Sequence, residues 1–317
     1  MPDKIPFYHT GYTPTPNATG FWTGKICKSP KSIYEHFNKY VYGHDEYKRV
    51  LSMLVWNAYN RKRPKGALLV VGNSGCGKTE MIRQLQYFYS NTVLLDSTLM
   101  TSQAYRGNNK TTSGLQRLNL DSSSPLGIAI FDEVDKLIQR ADGGKNDSAP
   151  IWEMLKMLEG GEIDVSCSSN SEPCIIDTRN ICFILMGSFE YLNQKSISRP
   201  IGFARTDEAR SVPTLDRNMV LEQLPPELRG RIETVVFLDS FTERDYVKIM
   251  RDDRYSPVKR ISKELDINLS VSPDKAEELA RKAFRNHTGI RSISNELTSY
   301  CNSILFENPS IKDITME

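Results

Sequence analysis

The hydrophobic positions of this chain change period along its length. From Asp45 onward, Val50, Leu51, Leu54, Val55 and Ala58 recur at helical spacing and predict an amphipathic helix. Ala67-Leu68-Leu69-Val70-Val71 then follows, apolar at every position rather than at alternate ones. That is the pattern of a parallel strand covered by helices on both faces. Similar runs stand at Val93-Leu94-Leu95, Ile128-Ala129-Ile130-Phe131, Ile181-Cys182-Phe183-Ile184-Leu185 and Val235-Val236-Phe237-Leu238, alternating with helical stretches such as Ile151 to Leu158. The alternation predicts an α/β fold with a doubly wound parallel sheet. After Asp239 strand patterns become sparse, and helical stretches at Asp274 to Asn286 and Arg291 to Leu305 predict a smaller, mainly helical domain. Residues 1–28, rich in Pro, Gly, Thr and aromatics, follow neither period and read as an irregular arm. The expected organisation is that arm over 1–28, a large α/β domain over 29–239 and a small helical domain over 240–317.

A chain of 317 residues exceeds what one core efficiently covers, which agrees with two packed domains. Net charge is only +2, so there is no whole-chain electrostatic footprint for nucleic acid. The basic run Arg61-Lys62-Arg63-Pro64-Lys65 reads as a solvated helix-to-strand connection. Six cysteines stand without a C-x-x-C pair, so neither a zinc knuckle nor a disulfide framework is indicated and they are expected to be free thiols. No apolar run approaches the roughly 18 residues of a membrane span, and a cytoplasmic protein without a membrane partner is the expectation.

Candidate chemistry begins where the first strand ends. Gly72-Asn73-Ser74-Gly75-Cys76-Gly77-Lys78-Thr79 has the phosphate-loop spacing, between a predicted strand and a predicted helix. Its glycines let backbone N–H groups and the helix N-terminus face an anionic phosphate, Lys78 reaches the β/γ oxygens of ATP, and Thr79 ligates Mg2+. Hydrolysis needs a carboxylate for the metal-bound water and another to polarise the attacking water. Asp132 and Glu133, after Ile128-Ala129-Ile130-Phe131, supply both in sequence: Asp132 as the magnesium residue and Glu133 as general base.

In the order of these motifs the chain resembles the ClpX and HslU unfoldases of the AAA+ class, from about Ser29 to Pro309. Phe131-Asp132-Glu133-Val134-Asp135-Lys136-Leu137 is close to that family's Walker B stretch, and Tyr40-Val41-Tyr42-Gly43-His44-Asp45 is similar to the segment lining its adenine pocket. The resemblance implies an AAA+ P-loop sheet with a C-terminal helical lid, adenine contacts from Val41 and Tyr42, and a hexameric homo-oligomeric ring that unfolds protein substrates. Pro226-Glu227-Leu228-Arg229-Gly230-Arg231 resembles the arginine-finger box, implying that Arg231 acts on a neighbour's nucleotide. Thr288-Gly289-Ile290-Arg291-Ser292-Ile293 is similar to the sensor-two segment, which implies Arg291, and Met186-Gly187-Ser188-Phe189 aligns with sensor one, which implies Ser188. Ala104-Tyr105-Arg106-Gly107 occupies the place of the pore loop, so Tyr105 is implied as the grip on substrate. Ile201-Gly202-Phe203 stands where ClpX carries its docking loop for a ClpP-like peptidase.

Two departures bear on specificity. The chain carries no cysteine pairs for the family's N-terminal zinc domain, and Asp164 to Thr178 lacks the Arg-Lys-His character of the corresponding loop. Recognition of the same tags is therefore not expected. Two other readings use the same hydrolytic site: a motor acting on nucleic acid, and a nucleotide-timed assembly switch.

Overall fold

The structure is a computed structural model that describes residues 29–73, 75–100, 111–121, 124–142, 149–166, 173–192, 217–286 and 289–317. The expected arm, Ser74, Tyr105 and Ile201-Gly202-Phe203 lie outside the described residues. The chain parts into two compact units between Ser240 and Phe241.

In the larger unit, α1 (Pro30–Tyr40) starts on a Ser29 capping box. Next come α2 (Asp45–Tyr59), β1 (Ala67–Gly72), α3 (Lys78–Phe88), β2 (Thr92–Asp96), β3 (Gly127–Asp132), α4 (Val134–Asp142) and α5 (Ala149–Glu159). A short antiparallel pair, β4 (Glu162–Asp164) with β5 (Ile175–Asp177), precedes β6 (Ile181–Gly187), and β7 (Ile232–Leu238) closes the unit. The main sheet runs β2-β3-β6-β1-β7 and every described pairing in it is parallel. β1 and β6 are buried at every residue, as their unbroken apolar runs predict. Each fully buried Leu, Ile or Val there contributes roughly 1.5–3 kcal/mol relative to exposure. Leu69, Val71, Phe131 and Leu185 join Val134, Leu137 and Ile138 of α4 in one core cluster.

The parallel arrangement has one consequence for chemistry. All five strands end on the same edge, so Asp96, Asp132, Gly187, Gly72 and Leu238 form a row there, in the order of the strands across the sheet. Open α/β sheets bind ligands at that edge.

The smaller unit, from Phe241, contains helices at Glu243–Arg251, Pro257–Leu265, Pro273–Arg285 and Gly289–Glu307. Its core is built on Tyr246, Ile261, Leu279, Ala280, Ile293, Leu297 and Cys301. Caps at Thr242, Ser256 and Ser272 satisfy the N-terminal N–H groups of the first three. The unit also holds a parallel pair absent from the sequence reading, β8 (Asn268–Val271) with β9 (Asp313–Met316). Four-residue strands with only Leu269, Ile314 and Met316 buried are too short for an alternating period to register, and their pairing joins segments separated by two helices.

Candidate nucleotide site

β1 delivers the chain into the phosphate loop at Gly72, where there is no room for a side chain. A Cβ added there would lie 2.8 Å from Cys76 Sγ and 2.8 Å from Leu238 Cβ. Gly75 and Gly77 hold φ of 78° and 98°, left-handed values that favour glycine. Gly77 then starts α3 without a side-chain cap, leaving the first N–H groups of the helix for an external anion. Lys78 Nζ donates to the carbonyls of Gly72 and Asn73, the latter at 2.9 Å. A phosphate oxygen is a stronger partner for that ammonium than a neutral carbonyl. Asn73 Nδ2 ties the loop to Ser240 Oγ at 2.8 Å.

Two strands away, β3 ends at Asp132. Burial raises the Asp132 pKa, opposed by the Glu133 N–H and by the Lys78 charge. That N–H donates to Asp132 Oδ1 at 2.9 Å. Glu133 has φ of 57°, uncommon and strained for a side chain of its size. Its carboxylate meets Lys136 Nζ at 2.7 Å, and that bond raises the Lys136 pKa. Asp135, only 3% exposed, accepts from Ser188 Oγ at 3.0 Å and from the Phe189 N–H at 3.1 Å. Ser188 follows β6, the strand between β1 and β3.

The predicted residues Gly72, Asn73, Gly75, Cys76, Gly77, Lys78, Thr79, Asp132, Glu133 and Ser188 therefore gather at one edge of the sheet. Val41 is buried at the end of α1, three residues before His44, which contacts the loop through the Cys76 carbonyl. Arg231 stands at the opposite edge of the same sheet: its carbonyl accepts from the N–H of Ala67, the first residue of β1, at 2.8 Å. The six-residue length of β1 separates it from the phosphate loop by roughly 20 Å. Its guanidinium pairs with Glu159 at 2.8 Å. Arg291 is exposed in the first turn of the helix Gly289–Glu307, in the smaller unit.

Two residues at this edge were given no role of their own by the sequence reading. Asp96 is in register with Asp132 across β2 and β3; its signal was an acid directly after an apolar run, the pattern that marked Asp132. His44, which the sequence reading named only as part of the Tyr40–Asp45 segment, reaches the loop from the start of α2, with Nε2 2.5 Å from the Cys76 carbonyl oxygen.

A phosphate-binding loop after the first strand, with paired acids after a parallel strand beyond its neighbour, defines a P-loop nucleotide-binding ATPase. The model of the AAA domain (Cdc48 subfamily) matches residues 63–235, and the chain belongs to that family. It is similar to the ATP-dependent Clp protease ATP-binding subunit ClpX of Treponema denticola, 28% identical over 90% of this chain and 78% of that protein. ClpX proteins of Borrelia duttonii and Bacteroides fragilis are 27% and 24% identical over 90% of the chain, spanning 76% and 78% of those proteins. No helix among the described residues is long and apolar enough to cross a membrane.

Proposed function

We propose that this ATPase works as a ClpX-like unfoldase or remodeller, a hexameric ring in the cytoplasm that applies ATP hydrolysis to protein substrates. The observation that carries it is the gathering of Lys78 and the Asp132–Glu133 pair on one sheet edge, in a chain similar to ClpX over nine-tenths of its length. Residues 29–239 serve as the nucleotide-binding domain and 240–317 as the lid.

Magnesium, when bound with ATP, supplies charge neutralisation at the β- and γ-phosphates. Thr79 and Asp132 offer it oxygen donors, the type it takes. Lys78 and the loop N–H groups orient the phosphates, Glu133 removes a proton from the attacking water, and Val41 with Tyr42 flank the base. Ser188 senses the γ-phosphate. Arg231 is on the wrong edge for its own subunit's phosphate loop, which supports action in trans on a neighbour. Arg291 couples the lid to nucleotide state, Tyr105 grips substrate in the pore, and Ile201-Gly202-Phe203 docks a ClpP-like peptidase.

The test is a Glu133→Gln variant, expected to bind ATP, lose turnover and retain protein substrates for identification. Stimulation of wild-type ATPase by an unfolded protein supports the reading. Stimulation by DNA but not by protein overturns it in favour of a nucleic-acid motor.

A further inference from the structure

We propose that His44 is a positioning residue for the phosphate loop, holding the Cys76 carbonyl so that the next amide, Gly77 N–H, is aimed at phosphate. The local backbone is costly. Gly43 and His44 are consecutive left-handed residues, at φ of 65° and 58°, and the second carries a Cβ that disfavours this region by roughly 1–2 kcal/mol. His44 also occupies the N-cap of α2 yet makes no side-chain cap, although a small polar residue there would satisfy an N–H of the helix. Its imidazole goes instead to the loop, 2.5 Å from the Cys76 carbonyl oxygen. A carbonyl only accepts, so Nε2 carries the hydrogen. Burial lowers the His44 pKa, and the neutral ring with its proton on Nε2 suffices as donor.

The consequence follows from peptide geometry. There is no cis peptide bond among the described residues, and in a trans peptide the C=O and the following N–H point in opposite directions. Fixing the Cys76 carbonyl on His44 therefore fixes the Gly77 N–H away from His44. Gly77 is the residue at φ 98° from which α3 departs, so this is the amide at the positive end of the helix dipole. Without His44 the Cys76–Gly77 peptide loses that anchor, with only glycine stiffness resisting its turn on the Gly77 side, and the amide is lost as a preorganised donor.

This rests on the phosphate-loop reading, and the experiment separates the two. MgADP affinity by calorimetry, and kcat and KM for ATP, are compared among wild type, His44→Ala, His44→Gln, Tyr47→Phe and Lys78→Ala. The hydroxyl of Tyr47, one turn along α2, is buried without a hydrogen-bond partner among the described residues, so Tyr47→Phe is the neighbouring control. His44→Ala is expected to weaken MgADP binding about tenfold, the worth of one hydrogen bond to a charged group, with KM rising alongside and kcat changing less. His44→Gln, which keeps an N–H donor, is expected to recover most of that affinity, and Tyr47→Phe to match wild type. Wild-type affinity in His44→Ala, with binding lost in Lys78→Ala, overturns the role of His44 alone. Undiminished binding in Lys78→Ala overturns the phosphate-loop reading. A glutamine variant as weak as alanine also overturns the positioning role, since the donor would then not be what matters.

Discussion

Asp135 Oδ2 accepts the hydroxyl of Ser188 at 3.0 Å and the N–H of Phe189 at 3.1 Å, joining the start of α4 to the end of β6. Glu133 and Phe189 flank this contact with φ of 57° and 54°, so the carboxylate holds two strained turns together. Asp135→Ala leaves a buried amide and a hydroxyl without their acceptor, and is expected to cost about 2–4 kcal/mol. Ser188→Ala removes one bond and is expected to cost about 1 kcal/mol. Urea denaturation of both variants checks the ranking, and an alanine at 135 as stable as wild type contradicts it.

The Glu133–Lys136 pair predicts a change in rate at little cost in stability. Both side chains are about half exposed, and such pairs contribute roughly 0–1 kcal/mol. Lys136→Ala frees Glu133, the proposed general base, from a competing cation, so kcat is expected to rise by no more than about fivefold, the kinetic equivalent of that range. Any loss of stability should stay within that same range of roughly 0–1 kcal/mol, and KM for ATP should stay unchanged. A fall in kcat would show that Lys136 instead orients Glu133 productively.

Gly72 predicts the cost of a single methyl group. Alanine there drives Cβ against Cys76 Sγ and Leu238 Cβ, each 2.8 Å away, and neither β1 nor β7 can withdraw without breaking its ladder. Gly72→Ala is expected to lose about 1–3 kcal/mol of stability and to weaken nucleotide binding. Cys76→Ala in the same chain makes room at one of the two contacts and should recover part of the stability.

His36 predicts a loss of stability in acid. Burial, reinforced by the Lys39 charge, lowers its pKa to about 4, whereas an unfolded histidine titrates near 6.5. As pH falls from about 6.5 towards about 4, the unfolded chain binds a proton that the folded chain refuses, so stability present above that window is lost through it. His36→Gln removes this titration, and the slope of unfolding free energy with pH over the window should flatten relative to wild type. An unchanged slope would show that His36 is accessible to protonation in the folded state.

Arg231 predicts complementation between defective subunits. Lys78→Ala and Arg231→Ala proteins are each expected to be nearly inactive, while mixing them creates interfaces with an intact loop on one side and an intact arginine on the other. Random mixing around a ring recovers about a quarter of wild-type turnover. No recovery from mixed, assembled rings contradicts a site shared between subunits.

The phosphate loop and the paired acids were legible in the sequence because each is a local pattern: an unbroken apolar run ending in Gly72, and another ending in Asp132 and Glu133. The α/β alternation was legible for the same reason, since the burial of β1 and β6 on both faces is written residue by residue. Strand order was not. Only the folded sheet puts β6 between β1 and β3, setting Ser188 in the row between Lys78 and Glu133, and only the ladder between Ala67 and Arg231 puts that arginine on the far edge. The contacts of Asp135 with Ser188 and of His44 with Cys76 span 53 and 32 residues, and no periodicity reaches that far. Local runs of side chains determine which elements form. Which residues meet at their ends is decided by parallel pairing between distant strands, a property of the whole sheet.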